Sequence, residues 1–186
     1  MSDSENRRLE NLFGSLLTAL SDSLTVRAER AAGHSGATAA ALTYLVQEPG
    51  QSIDQLKEPL GLSQSATVRL VDRLVADGLV QRRPGRDGRS IAVHLTPPGE
   101  NVAQNILDQR QSVLAASLAS LGPGERGTMT ELVEKILSDI TGDVAHGQRI
   151  CRLCDLTVCP LDRCPVTLAA EQNARRTIEP AGDISD

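Results

Sequence analysis

Between Ser63 and Leu95 the chain changes across one glycine, Gly78, from a helical apolar period to short runs rich in β-branched residues. Before it, Ala66, Thr67, Leu70, Val71 and Leu74 fall on one side at about 100° per residue. Ser65, Val68, Arg69 and Asp72 fall on the other side, with Gln64 and Arg73 on the flanks. Ser63 follows Gly61-Leu62 and suits an N-cap, because its hydroxyl can accept from an unpaired first-turn N–H. Gly78 stands where a residue of positive φ ends a helix at least cost. Beyond it, Leu79–Arg83 and Ser90–Leu95 are β-compatible runs joined by Pro84-Gly85-Arg86-Asp87-Gly88-Arg89.

Charge is concentrated on the same stretch. From Arg69 to Arg89 six Arg face three Asp, a local +3 in a chain of net −5, which leaves −8 for the remainder. An acidic chain that gathers its arginines in this way has a placed charge rather than a general affinity for polyanions. An arginine-rich loop alone reads as a solvated hairpin. With a capped helix of small polar N-terminal residues before it, the better reading is a recognition helix and a wing, the winged helix-turn-helix layout. Small side chains let the helix end approach a major groove, and Arg69 can reach a guanine edge or a phosphate.

The rest of the chain reads as support. Leu9, Leu12, Phe13, Leu16, Leu17, Leu20 and Leu24 form one helical stripe, predicting a helix from near Asn6 to Ala32 that ends at Gly33. A second helix follows from Gly36 to Glu48. Ser52-Ile53-Asp54-Gln55 has capping-box form and opens a short helix to about Lys57, cut by Pro59. Thr96-Pro97-Pro98 starts a further helix through Leu118, which Gly122-Pro123-Gly124 is expected to break. The next helix carries Met129, Leu132, Val133, Ile136, Leu137, Ile140 and Val144 on one stripe. Phe13 and Tyr44 are the only aromatics, so Ala, Leu and Val carry a core suited to helix-on-helix packing.

The expected fold class is mainly α with a small β wing: a winged helix-turn-helix flanked by N- and C-terminal dimerisation helices. The expected divisions are 1–34 and 97–145 for dimerisation, 35–96 for DNA binding, 146–166 for a cysteine segment and 167–186 for a partly disordered tail. A twofold dimer would set two recognition helices roughly 34 Å apart on a near-palindromic site. The polar N-terminus and the absence of a long apolar run predict no membrane span, no secretion and a cytoplasmic place.

The chain resembles the MarR family of bacterial transcriptional regulators. The resemblance covers about residues 5 to 145. It rests on Gly61-Leu62-Ser63, Val68-Arg69-Leu70-Val71-Asp72-Arg73-Leu74, Asp77-Gly78-Leu79-Val80, Arg86-Asp87-Gly88-Arg89 and Val93-His94-Leu95-Thr96-Pro97-Pro98-Gly99. It implies that the recognition helix enters the major groove through Ser63, Gln64, Ser65, Thr67 and Arg69. It further implies a wing-tip arginine, Arg89, at the minor groove, with Asp87 bracing the arginines around it. Arg73 and Arg86 complete the expected DNA contacts. The periodicity places Thr67 on the buried side, against its assignment as a contact. Family members often respond to a small molecule bound between the dimer layer and the DNA-binding lobes, and some to a reactive cysteine. The family pattern lacks the four-cysteine segment found here.

That segment holds Cys151, Cys154, Cys159 and Cys164, all four cysteines of the chain, as C-x2-C-x4-C-x4-C. Four thiolates in so short a span can wrap a metal ion or cluster unaided. Zinc fits the spacing of a knuckle with its histidine replaced, though the knuckle glycines are missing. Cys159-Pro160 and Cys164-Pro165 fit an iron–sulfur motif instead. A thiol switch on Cys151 and Cys154 is the third reading. His146 is left out of the site.

The functional expectation is a dimeric DNA-binding regulator, a repressor, using helix 63–77 and wing 79–95 on a near-palindromic operator. A metal or redox state at the cysteines would modulate it through the last dimerisation helix. The alternatives are a thiol–disulfide redox protein using the C-x-x-C pair and a zinc-stabilised interaction module. No paired nucleophile and base suggests an enzyme.

Overall fold

Ser2 opens the first helix with a capping box: its hydroxyl accepts from the Glu5 N–H at 3.3 Å while its own N–H donates to the Glu5 carboxylate. The computed structural model describes residues 2–34, 36–85 and 90–178. Helix α1 runs from Asp3 to Ala32 and ends at Gly33, φ 70°, as its stripe predicts. Its C-terminal part packs on the molecule through Ala28, Ala31 and Ala32, whereas Leu9, Leu12, Phe13, Leu16 and Leu17 stay 41–56% exposed.

Helix α2, Thr38–Gln47, is buried all round from Thr38 to Leu45 and forms the centre of the winged helix-turn-helix lobe. Strand β1 is only Gln51–Ser52, and the sequence reading had no strand there. Helix α3, Ile53–Leu60, opens on the expected Ser52–Gln55 capping box. Pro59 does not cut it short. The ring sits fully buried in the last turn, where its burial offsets the one hydrogen bond it forfeits. Gly61, φ 63°, ends the helix, and the Leu62 N–H donates back to the Lys57 carbonyl at 3.0 Å.

Helix α4, Gln64–Ala76, follows its Ser63 cap, and Gly78 takes φ 70° just beyond. Strands β2, Val80–Pro84, and β3, Ile91–Leu95, pair antiparallel with Gln81 opposite His94 and Arg83 opposite Ala92. Strand β1 adds to the other edge of β3, giving the order β1-β3-β2. Leu42, Leu45, Leu56, Val71, Leu74 and Val93 are fully buried between these elements, and Ile106 closes the core.

Helix α5, Pro97–Ser117, starts at the Thr96 cap as expected and packs along α1. Gly122-Pro123-Gly124 does not act as the break. Gly122 is the N-cap and Pro123 the first residue of α6, Pro123–Ile140, a position where proline loses nothing. The stripe taken through Val144 is interrupted. Asp143 accepts from the His146 N–H at 2.8 Å and caps a separate helix α7, Val144–Cys151. After a 3-10 turn at Leu161–Arg163, helix α8 spans Pro165–Ile178 and packs on α6 and α7. Among the described residues, no helix is long and apolar enough to cross a membrane.

Candidate nucleic-acid interface and cysteine cluster

The N-terminal end of α4 is built from Ser63. Its hydroxyl accepts from the Ala66 N–H at 3.3 Å and lies 3.3 Å from the Ser65 hydroxyl. Gln64, Ser65 and Arg69 are exposed beside it, on the face opposite Leu70, Val71 and Leu74. Thr67 corrects the list of contacts. It is fully buried, and its hydroxyl donates to the Ser63 carbonyl at 3.0 Å, so it shapes the helix end from within and offers nothing to a duplex. Arg73 is exposed, and its guanidinium reaches toward α2, 3.5 Å from the Thr38 hydroxyl.

The wing is fixed to this helix in two places. Asp72 of α4 accepts from the Arg82 guanidinium of β2 at 2.6 Å. The sequence reading named neither residue as part of the site. The strand period supplies the signal: Arg82 lies two residues from buried Val80, on the same face of β2. At the wing's root, the Thr96 hydroxyl donates to the Gly78 carbonyl at 2.6 Å and accepts from the Gly99 N–H at 3.2 Å. Gly99 permits this approach, since a Cβ there would lie 1.9 Å from the Leu79 carbonyl oxygen. The Gly85 N–H donates to the Ser90 carbonyl at 2.8 Å and closes the hairpin's base. Arg86, Asp87 and Arg89 lie outside the described residues.

The cysteines lie on the other side of α3. Cys151 ends α7, and the Cys154 N–H donates to its carbonyl at 2.8 Å. Cys164, buried, stands at the start of α8. The fold brings the thiols together in pairs: Cys151 with Cys154 and with Cys164, and Cys159 with Cys164. Among the described residues, no group of three or more His, Cys, Asp or Glu side chains is placed to hold a metal ion. The thiols are chemically unlike. The hydrogen bond to Cys154 and burial push Cys151 up. The same bond, received, outweighs burial at Cys154 and, with the Arg110 guanidinium, holds it down. Burial and Cys164 raise Cys159. At Cys164 burial is outweighed by hydrogen bonds from the Thr167 backbone and hydroxyl, the Val166 N–H and Cys159, and the net shift is downward. His146 is engaged elsewhere, its Nδ1 accepting from the Gly142 N–H at 3.0 Å.

The comparisons with known proteins fall on the DNA-binding lobe. The MarR family pattern matches residues 32–90, ending before the cysteine segment. The HTH-type transcriptional regulator PetP of Rhodobacter capsulatus is 26% identical over 98 residues, 52% of this chain and 59% of that protein. The HTH-type transcriptional regulator YsmB of Bacillus subtilis is 32% identical over 74 residues, 39% of this chain and 51% of that protein. The chain thus spans between half and three fifths of the length of these curated relatives. A MarR-family transcriptional regulator from Silicibacter pomeroyi has a similar structure, with TM-score 0.55 and 29% identity over 71% of this chain and 92% of that one. A MarR family protein from Bacillus stearothermophilus, TM-score 0.65 and 24% identical over 75% of this chain and 98% of that one, shares the fold. Residues 32–90 thus match the MarR family pattern, and the chain shares the winged helix-turn-helix fold of MarR-family proteins.

Proposed function

We propose that this chain is a dimeric transcriptional regulator, not an enzyme, that works in the cytoplasm and represses by occupying a near-palindromic operator in double-stranded DNA. The carrying observation is the outward end of α4, with Ser63 capping it, Gln64, Ser65 and Arg69 exposed, and Asp72–Arg82 tying it to the wing. Small polar groups at a helix N-terminus allow close approach to phosphates and base edges, and Arg69 supplies the bidentate donor. The relatives named above as transcriptional regulators support this reading.

The second copy is supported by two uncovered apolar stripes. Leu9, Leu12, Phe13, Leu16 and Leu17 of α1 are 41–56% exposed, and Leu132, Val133, Ile136 and Ile140 of α6 are 39–56% exposed. Contiguous apolar area of this kind marks an interface. A small-molecule effector has room in a cavity of about 620 Å³ between α1, α2 and α5, lined by Leu20, Leu24, Ala28 and Ile106.

Selecting duplexes from a random pool with the full chain tests the reading. The expected product is a pair of inverted half-sites centred about 10 bp apart. Recovery of single, unpaired half-sites would contradict the dimer, and no enrichment at all would contradict sequence reading. Transcription in vitro from a promoter overlapping the selected site should fall as the protein is added; a rise would overturn the repressor assignment.

A further inference from the structure

The cysteine segment packs against the helix-turn-helix through Leu153 and α7. Cys151 and Cys154 bracket Arg152-Leu153, and that loop is the part of the segment that enters the DNA-binding lobe. Leu153 packs against the lobe's core. The Arg152 carbonyl accepts from the Thr43 hydroxyl of α2 at 2.9 Å, and the Cys154 carbonyl accepts from the Gln47 side-chain amide. Helix α7 packs on α3, and its Arg149 side chain lies over Gly61, the turn between α3 and α4.

The unit that carries these contacts is poor in apolar bulk. Its buried side chains are Cys164, Val166, Ala169 and Ala170. So little volume supplies a weak core, and small units of this kind are commonly held by a metal or cross-link. Three close pairs, Cys154 with Cys151, Cys151 with Cys164 and Cys164 with Cys159, link the four thiols. A Zn–S bond of about 2.3 Å sets tetrahedral ligand sulfurs about 3.8 Å apart, which is contact distance. An iron–sulfur cluster spreads its cysteines over several irons and would separate them further. The N–H groups of Val166 and Thr167 aimed at the Cys164 sulfur are the outer-shell donors that a thiolate ligand needs.

We propose that Cys151, Cys154, Cys159 and Cys164 bind one zinc ion as a tetrathiolate, and that this zinc clasps the Arg152-Leu153 loop onto α2 and α3 and so holds the recognition helix ready for DNA. The thiols meet in pairs, and no three of them are yet placed to hold a metal. Loading therefore closes the turn between Cys154 and Cys164, and the closure is transmitted through Leu153 and the carbonyls of Arg152 and Cys154. The route runs within one chain, through α7 and α3, and not through α6 and the dimer layer. The zinc site stands without the regulatory reading; the coupling rests on it.

The experiment has two arms on the full chain. In the first, metal content is measured after purification under reducing conditions, and cobalt(II) is substituted for zinc. One zinc per chain and the charge-transfer and tetrahedral bands of a tetrathiolate cobalt site are expected. Cys159→Ser should weaken these bands, and Cys154→Ser should do the same by an independent ligand. Iron with sulfide, a Cys151–Cys154 disulfide without metal, or an unperturbed cobalt spectrum in both variants would overturn the site. In the second arm, hydrogen exchange and binding to a selected duplex are followed as zinc is removed by chelation. Faster exchange in α3 and α7 and about tenfold weaker binding are expected. Leu153→Ala should keep the cobalt spectrum while making DNA affinity insensitive to zinc. A zinc-loaded protein whose exchange in α3 and DNA affinity both ignore chelation would overturn the coupling while leaving the site. If the chain binds no duplex, exchange in α3 alone decides the coupling, and unchanged exchange overturns it.

Discussion

The DNA-binding lobe and the C-terminal cysteine unit are held together by different means. The lobe buries Leu42, Leu45, Leu56, Leu74 and Val93 completely, with α2 enclosed on all sides. The C-terminal unit buries only small side chains of its own and lends Leu153 to its neighbour. At about 25 cal/mol per Å² of apolar surface, the first arrangement sustains a fold and the second leans on other bonds. The contrast teaches which part of the molecule is scaffold and which part is adjustable.

Substitutions can break or sharpen that contrast. The largest effect is expected at Leu74→Ala, which empties the middle of the lobe's core and should cost about 2–5 kcal/mol in chemical denaturation. A loss below about 1 kcal/mol would mean that the lobe is not the scaffold. Val166→Ala should cost less, about 1–2 kcal/mol, and act locally. Exchange protection should fall in α7 and α8 while α4 keeps its own; equal loss in both would show that the two regions unfold as one. Ser63→Ala removes the hydroxyl that caps α4 and should cost about 1 kcal/mol, read as fraying of the first turn of α4. A variant of unchanged stability would mean that solvent caps the helix as well. Smallest is Asp72→Ala. The pair it makes with Arg82 is partly exposed, so stability should change by about 0.5 kcal/mol or less. Its expected signature lies instead in the wing's angle, read by a spin or fluorophore distance between α4 and β2.

The sequence was most informative where structure depends on neighbours along the chain. The stop at Gly33, the Ser52–Gln55 box, the Ser63 cap and the Thr96 start all follow from residues within four positions of each other. The face of α4 followed from its period, including the burial of Thr67 that the family resemblance would have assigned to DNA. Long-range placement was not readable. Two residues at β1 become a strand only because β3 lies beside them. Val144 continued a helical period across Thr141-Gly142-Asp143 by coincidence, while Asp143 was the true start of α7. The spacing of the four cysteines suggested metal or redox chemistry, but nothing local said that their loop would seat Leu153 against the core of the winged helix-turn-helix lobe. The Asp72–Arg82 tie spans two elements and is visible only once the strand's face is known.

The account's central claim is that the outer end of α4 meets DNA. A fluorescence anisotropy titration of a selected duplex with the full chain and with Arg69→Ala and Thr67→Val addresses it directly. Arg69→Ala should weaken binding by about 1–3 kcal/mol and relax the preference at one base position of each half-site. Thr67→Val, which keeps the buried shape and loses only the bond to the Ser63 carbonyl, should bind within about twofold of the parent, the scatter expected of a substitution that removes no contact to DNA. Equal affinities for the parent and Arg69→Ala, with Thr67→Val the weaker, would contradict the assignment of that face to the groove.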